Sequence, residues 1–137
     1  MRIAPAAASD TEALVALWND CGLLRPWNDP RADVERALAG DHSTVLAGHD
    51  GGALVASAMV GEDGHRGWVY YVATRPDRRG EGLGAAIMEA AEAWLAARGV
   101  LKLNLMIRNE NEAVRRFYEG QGYGGDGVIV LSKRLDG

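Results

Sequence analysis

The chain of 137 residues has a formal net charge of −4, with 47% hydrophobic and 25% charged residues. This length and composition predict a single folded domain over residues 1–137 that buries a sizeable core. The acidic balance predicts neither a nucleic-acid partner nor a membrane partner, so a local basic cluster becomes informative.

The cysteine content and the terminal patterns limit the cellular setting. A single cysteine, Cys21, excludes an intrachain disulfide and leaves no Cys-x-x-Cys pair for zinc. The first residues lack the charged-then-apolar pattern of a signal peptide. No apolar run approaches the roughly 18–20 residues that span a bilayer. We therefore expect a cytoplasmic protein.

Hydrophobic periodicity and capping residues predict two helices and four strands in the first half of the chain. The ranges are strand 1–4, helices 10–20 and 31–39, and strands 44–49, 53–60 and 68–74. Asp50-Gly51-Gly52 is typical of a hairpin turn. The unbroken apolar run in 68–74 predicts a central strand covered on both faces.

The second half predicts helix 82–98, strand 100–107, helix 111–119 and strand 127–133. The element order is therefore β-α-α-β-β-β-α-β-α-β. Hairpin-linked strands followed by a strand–helix–strand crossover predict an α/β (α+β) fold with a mixed sheet and helices on both faces. The edge of the last strand, around residues 128–131, offers a surface for a homodimer.

The stretch that carries most information is Arg78-Arg79-Gly80-Glu81-Gly82-Leu83-Gly84, between a predicted strand and a predicted helix. Glycines let a backbone approach an anion closely. The first N–H groups of a helix have no intrahelical partner, and the helix dipole favours negative charge there. Arg79, with Arg78 beside it, would add side-chain cations. The pattern predicts a pyrophosphate site.

Two common phosphate loops fit this stretch poorly. The dinucleotide pattern Gly80-x-Gly82-x-x-Ala85 normally opens a fold, whereas here some 70 residues precede it. The acidic residue expected at the end of the next strand is missing, because residues 106–109 read Met-Ile-Arg-Asn. A nucleotide P-loop needs Gly-Lys-Ser/Thr, and the chain has no such tripeptide.

A third pattern, Arg79-x-x-Gly82-x-Gly84, follows the lead-in Pro76-Asp77-Arg78-Arg79-Gly80. Asn-Glu-Ala-Val-Arg-Arg-Phe-Tyr at 111–118 and Gly-Tyr at 122–123 come after the next strand. In these motifs, in their order and in the element order, the chain resembles the GNAT superfamily of acyl-CoA-dependent N-acyltransferases. Val114 departs mildly from the usual alanine. Residues 23–30 and 63–67, with Tyr70-Tyr71, resemble its small bacterial YpeA-type branch.

The resemblance implies acetyl-CoA as co-substrate and no metal. It implies that backbone groups of one loop hold the CoA pyrophosphate, namely those of Gly80, Glu81, Gly82, Leu83, Gly84 and Ala85. Backbone groups of Tyr71, Val72 and Ala73 would pair with the pantetheine arm like an added strand, which requires a splayed or bulged gap beside them. The alternative is that these groups pair with the next strand.

The resemblance also assigns two residues of the second motif to the cofactor. Asn111 would hydrogen-bond the pantetheine arm, and its alternative is a helix N-cap. Tyr118 would contact the cofactor and act as general acid towards the CoA thiolate. Its alternative is a core aromatic residue anchored by its hydroxyl.

The general base and the acceptor site are less determined. Glu62 and His65 are the base candidates, with Asp63 between them, because histidine and carboxylates accept protons near neutral pH. A solvated polar loop is the alternative, and Tyr70 or Tyr71 could instead orient a water. Arg25, Trp27 and Asn28 lie in the loop that lines the acceptor site in GNAT proteins, and Tyr70 joins them as a substrate-binding candidate.

The expected activity is transfer of an acetyl group from acetyl-CoA to a primary amine of a small molecule, peptide or protein. Two alternatives stay open. One is a CoA-binding regulatory member, or one using another acyl group, with little acetyltransferase activity. The other is a non-CoA nucleotide-binding module that uses the same glycine turn.

Overall fold

The computed structural model describes residues 1–137 in two compact units, Met1–Leu105 and Met106–Gly137. The first unit contains strands β1 (Arg2–Pro5), β2 (Ser43–Asp50), β3 (Ala53–Glu62), β4 (Gly67–Thr74) and β5 (Leu103–Asn104), and helices α1 (Thr11–Asp20), α2 (Pro30–Ala39) and α3 (Leu83–Ala96). The second unit contains helix α4 (Glu112–Glu119). None of these helices has the length and hydropathy of a bilayer-spanning segment. A single domain over residues 1–137 stays a prediction.

The five strands form one sheet in the order β1-β2-β3-β4-β5. The first three neighbouring pairs are antiparallel and β4–β5 is parallel, so the predicted mixed sheet is confirmed. The β2–β3 hairpin turns at Gly51 and Gly52, whose φ angles of 59° and 84° suit a two-residue turn that requires left-handed backbone.

Helices cover both faces of the sheet, as predicted. On one face, α1 and α2 bury an apolar cluster that includes Leu14, Trp18 and Val34. On the other, α3 packs against β3 and β4. Gly67 allows this close approach, because a Cβ at this position would lie 2.5 Å from Cδ1 of Leu95.

Strand β4 contains a bulge at its centre. Two of its residues, Tyr71 and Val72, lie opposite one residue of β3, Ala58. Tyr71 has a φ of 51°, the only positive φ among the non-glycine residues. Such left-handed backbone is strained for a tyrosine, so surrounding contacts must hold it.

The bulge changes which face of the sheet the β4 side chains occupy. Side chains along a strand alternate, so residues 67 and 71 would normally share a face. Here Gly67 faces Leu95 of α3, whereas Tyr71 stacks on Trp18 of α1. The bulge therefore places the side chain of Tyr71 on the face of the sheet that α1 and α2 cover.

Strand β5 is much shorter than the predicted strand 100–107. Its ladder with β4 has two pairs, Gly67 with Leu103 and Trp68 with Asn104. The apolar alternation that suggested a longer strand includes Leu101, which is 92% exposed. Alternation alone does not form a strand where no neighbouring strand pairs with it.

The predicted last strand, 127–133, is wrong, and the observed element order ends at α4. Residues 124–137 form no ladder, and Val128, Ile129 and Leu131 are 73%, 83% and 85% exposed. High β-propensity produces a strand only when a partner strand and a buried face are supplied.

Candidate active site

The glycine turn after β4 has an open, left-handed backbone. Gly80 and Gly82 have φ angles of 83° and 78°, and a Cβ at either position would meet no atom within 4 Å. Gly82 is the N-cap residue of α3, and no side chain caps this helix. The first intrahelical bond of α3 is donated by the N–H of Ala86, so the N–H groups before it are available to an anion.

The arginines around this turn have different partners. Arg78 binds carboxylates of Asp50 and Glu81 at 2.7 and 2.9 Å. Its hydrogen bond lowers the pKa of Asp50, so this side chain ties the turn to the end of β2. Arg75 forms a similar pair with Asp77 at 2.6 Å. The carboxylates of Asp50 and Glu81 offset the positive charge that Arg78 was expected to offer to a pyrophosphate.

Arg79 is exposed and interacts with Cys21 of the segment after α1. The thiol of Cys21 donates to the carbonyl oxygen of Thr74 at 3.1 Å. Burial raises the pKa of this thiol, and Arg79 opposes the rise. Of the two arginines assigned to the loop, Arg79 is therefore the one without a carboxylate partner.

The edge of β4 that leads into the turn is unpaired. Because β5 pairs only with Gly67 and Trp68, residues 69–74 have no strand neighbour on that side. The bulge and the gap expected beside Tyr71, Val72 and Ala73 are therefore present. An extended chain can add to such an edge through main-chain hydrogen bonds.

Three side chains hold Tyr71. Its ring stacks on Trp18 with centroids 3.9 Å apart, and its hydroxyl donates to Asp33 of α2 at 2.7 Å. The hydroxyl of Ser57 in β3 donates to the backbone carbonyl oxygen of Tyr71 at 2.8 Å. Burial, and then the hydrogen bond to Asp33, raise the pKa of Tyr71, so its phenol stays protonated.

Sequence reasoning assigned no role to Asp33 or Ser57. Ser57 could have been noticed as the one hydroxyl within the apolar pattern of β3. The contact between Asp33 and Tyr71 spans 38 residues, and only the tertiary structure brings them together.

In the loop before α2, the side chain of Arg25 binds backbone groups of the same loop. Nη1 of Arg25 donates to the carbonyl oxygens of Gly22 and Leu24 at 2.9 and 3.0 Å. The N–H of Asn28 donates to the carbonyl of Arg25 at 3.1 Å, which closes the turn. Trp27 is 54% exposed in this loop.

The loop between β3 and β4 lies at the opposite end of β4 from the glycine turn. Seven residue steps separate the two ends of β4, about 23 Å for a strand. Glu62 lies 2.6 Å from Nδ1 of His42 and accepts the N–H of Gly64 at 2.9 Å. Both bonds lower the pKa of Glu62 and keep this carboxylate ionised, and the bond with His42 has the larger effect.

Asp63 and His65 belong to the same loop. Asp63 accepts the N–H groups of His65 and Arg66 at 2.9 and 2.8 Å, an arrangement that lowers its pKa and shapes the turn. His65 is exposed. Tyr70, 44% exposed in β4, has its pKa raised by burial and by the charge of Asp63.

The second unit places the second motif on α4. Asn111 caps this helix, because its Oδ1 accepts the N–H of Val114 at 3.2 Å. Tyr118 is buried and packs edge to face on Phe117 and Tyr123, with centroid distances of 4.9 and 5.8 Å. Burial raises the pKa of Tyr118 to about 12.

Comparison with known proteins defines the class. The model of the acetyltransferase (GNAT) family matches residues 11–123. Acetyltransferase YE1169 of Yersinia enterocolitica is 47% identical over 127 residues, which cover 93% of this chain and 90% of the relative. The chain therefore belongs to the acetyltransferase (GNAT) family and is an acetyltransferase enzyme.

Solved structures agree on the fold. The chain is similar to AAC(6')-Iy in complex with the bisubstrate analog CoA-S-monomethyl-acetylneamine, with a TM-score of 0.84, 15% identity and 97% of each chain covered. It is also similar to the ribosomal-protein-alanine N-acetyltransferase of Brucella melitensis biovar Abortus, with a TM-score of 0.77 and 21% identity. That match covers 97% of this chain and 98% of the other.

The contacts of Glu62 predict a pH-dependent contribution to stability. Because its pKa is lowered in the folded state, the contribution is present above the ordinary glutamate value of about 4.3 and is lost as the pH falls through the folded value. Glu62→Gln should therefore lower the free energy of unfolding at pH 7. The difference from the wild type should shrink at pH 3, as measured by urea denaturation.

Glu89→Gln, on the exposed side of α3, is the control and should change little at either pH. An equal loss of stability for Glu62→Gln at pH 7 and pH 3 would contradict the electrostatic role of Glu62.

Proposed function

We propose that this chain transfers an acetyl group from acetyl-CoA to a primary amine. The observation that carries the proposal is the continuous path from the unpaired edge of β4, through the glycine turn, to the uncapped start of α3. The pantetheine arm would add to that edge, and the pyrophosphate would bind the N–H groups of residues 80–85. Membership of the acetyltransferase family supports this assignment.

Positioning supplies most of the catalysis in this proposal. The strand edge and the turn hold the thioester so that an amine can reach its carbonyl carbon. Backbone donors near Val72 polarise that carbonyl. The amine nitrogen forms the new C–N bond, the C–S bond breaks, and the amine loses a proton.

We assign the return of a proton to the CoA thiolate to Tyr118. A pKa of about 12 keeps its phenol protonated at neutral pH, which is the form a general acid needs. Asn111 uses its amide oxygen for the helix cap, and its amide N–H groups are the donors we propose for the pantetheine arm.

The proton taken from the amine requires a base. Glu62 is held as a carboxylate by several donors and lies at the far end of β4, so its contacts favour a structural role. The hydroxyl of Tyr71 is bound to Asp33. We therefore propose that an ordered water beside Tyr70 accepts the proton and passes it to solvent, with His65, in the loop that precedes β4, as the alternative base.

The acceptor is proposed to be an amine on a small molecule or on a peptide or protein. One structural neighbour is named as an aminoglycoside N-acetyltransferase, and another as a ribosomal-protein-alanine N-acetyltransferase. Exposed Trp27 and Tyr70, together with Asn28, are the residues we propose to contact the acceptor. The bonds of Arg25 to its own loop support a role in shaping that loop.

Gly82→Val tests the pyrophosphate site. A valine would place a branched side chain on left-handed backbone, in the space from which an anion approaches. We expect binding of CoA to be lost in isothermal titration calorimetry. The thermal midpoint should also fall because of the backbone strain.

Gly64→Val is the matched control. Gly64 has a φ of 86° and equally open surroundings, but it lies in the loop at the other end of β4. It should lose comparable stability and keep wild-type affinity for CoA. Retained affinity in Gly82→Val, or equal loss in the two variants, would contradict the assignment.

Tyr118→Phe tests the general acid. Removing the hydroxyl should lower kcat by roughly 10²–10⁴-fold, the usual contribution of such catalysis, while the Kd for acetyl-CoA stays nearly unchanged. The measurement is thiol release with an amine found by screening, over a pH range in which chemistry limits the rate. Wild-type turnover in this variant would remove Tyr118 from the acid role.

A further inference from the structure

The carbonyl group of Tyr71, at the bulge in β4, accepts a hydrogen bond from a side chain. Where two residues face one, the regular ladder is interrupted, and one backbone group loses its usual partner. The carbonyl oxygen of Tyr71 accepts a hydrogen bond from the side chain of Ser57. Ser57 therefore supplies a side-chain donor at the point where the regular ladder is interrupted.

Ser57 is the only fully buried polar residue in the apolar core. Its oxygen accepts the indole N–H of Trp18 at 2.9 Å while its hydroxyl donates to Tyr71 at 2.8 Å. Trp18 also stacks on the ring of Tyr71. The three residues form a closed cycle that fixes both the carbonyl and the ring of the strained residue.

We propose that Ser57 is a positioning residue for the acyl-CoA. It holds the left-handed backbone of Tyr71, and this sets the position of the next residue, Val72, at the unpaired edge of β4. This inference rests on the proposed function, because it assigns the pantetheine arm to that edge. Ser57 itself is buried behind the strand and acts only through Tyr71.

A cofactor fragment separates this role from general stability. CoA uses both the strand edge and the glycine turn, whereas adenosine 3′-phosphate 5′-diphosphate lacks the pantetheine arm and uses the turn alone. In Ser57→Ala the carbonyl of Tyr71 loses this donor. We expect the Kd for CoA to rise about tenfold, because the backbone of Tyr71 can then leave its left-handed conformation in the free protein, and restoring it on binding costs about as much as one hydrogen bond contributes. The Kd for the fragment should change less than about twofold.

Val60→Ala is the matched control. Val60 is a fully buried residue of the same strand and lies outside the cycle of Trp18, Ser57 and Tyr71, so this variant should lower the thermal midpoint without raising the Kd for CoA. Ser57→Cys keeps the shape of the side chain with a weaker donor. It should fold if Ser57→Ala does not, and its affinity for CoA should be intermediate between those of wild type and Ser57→Ala.

Unchanged affinity for CoA in both Ser57 variants would overturn the inference. So would an equal weakening of CoA and the fragment, which is what loss of folded protein produces. A wild-type protein that binds neither CoA nor the fragment would overturn the proposed function itself. The wild-type titration therefore distinguishes the two failures.

Discussion

The bulge at Tyr71 is the constraint on which the rest of the site depends. A regular β4 would place residues 67 and 71 on one face and would allow β5 to continue alongside it. The bulged strand instead packs Gly67 against Leu95 on one face and Tyr71 against Trp18 on the other. The β4–β5 ladder has only two pairs, so one edge of β4 is left without a neighbour beyond Trp68.

Local chemistry then determines what that edge can bind. The strand leads into a turn whose glycines have left-handed backbone, and α3 begins with unpaired N–H groups. Arg78 is anchored by Asp50 and Glu81, so it stiffens the turn. An unpaired strand edge that continues into the proposed anion site would suit a ligand with an extended amide-bearing arm and a pyrophosphate, and this is the reason for proposing CoA.

The sequence correctly predicted the elements that have strong local patterns. Its predictions were wrong or incomplete where the structure depends on a partner that is distant in the chain. Helices α1 to α3 and strands β2 to β4 were found because their apolar periodicity and their Asp-Gly or glycine ends are local features. The strand 127–133 was wrong because a β-rich run needs a ladder, which its residues lack. The glycine turn was predicted from its pattern of glycines and arginines and from its place between a predicted strand and a predicted helix. The partners of Tyr71, namely Ser57 and Asp33, were missed because 14 and 38 residues separate them from it.

The central claim is that the path along β4 and the glycine turn binds acyl-CoA, and a thermal-shift titration tests it most directly. Acetyl-CoA, CoA, NAD and ATP would be compared on the wild-type protein. A ligand at about 100 times its Kd adds about 2.7 kcal/mol to the native state, which for a domain of this size is a shift of several degrees. The account predicts such a shift with acetyl-CoA and CoA and none with NAD or ATP. A shift with NAD or ATP alone would contradict it.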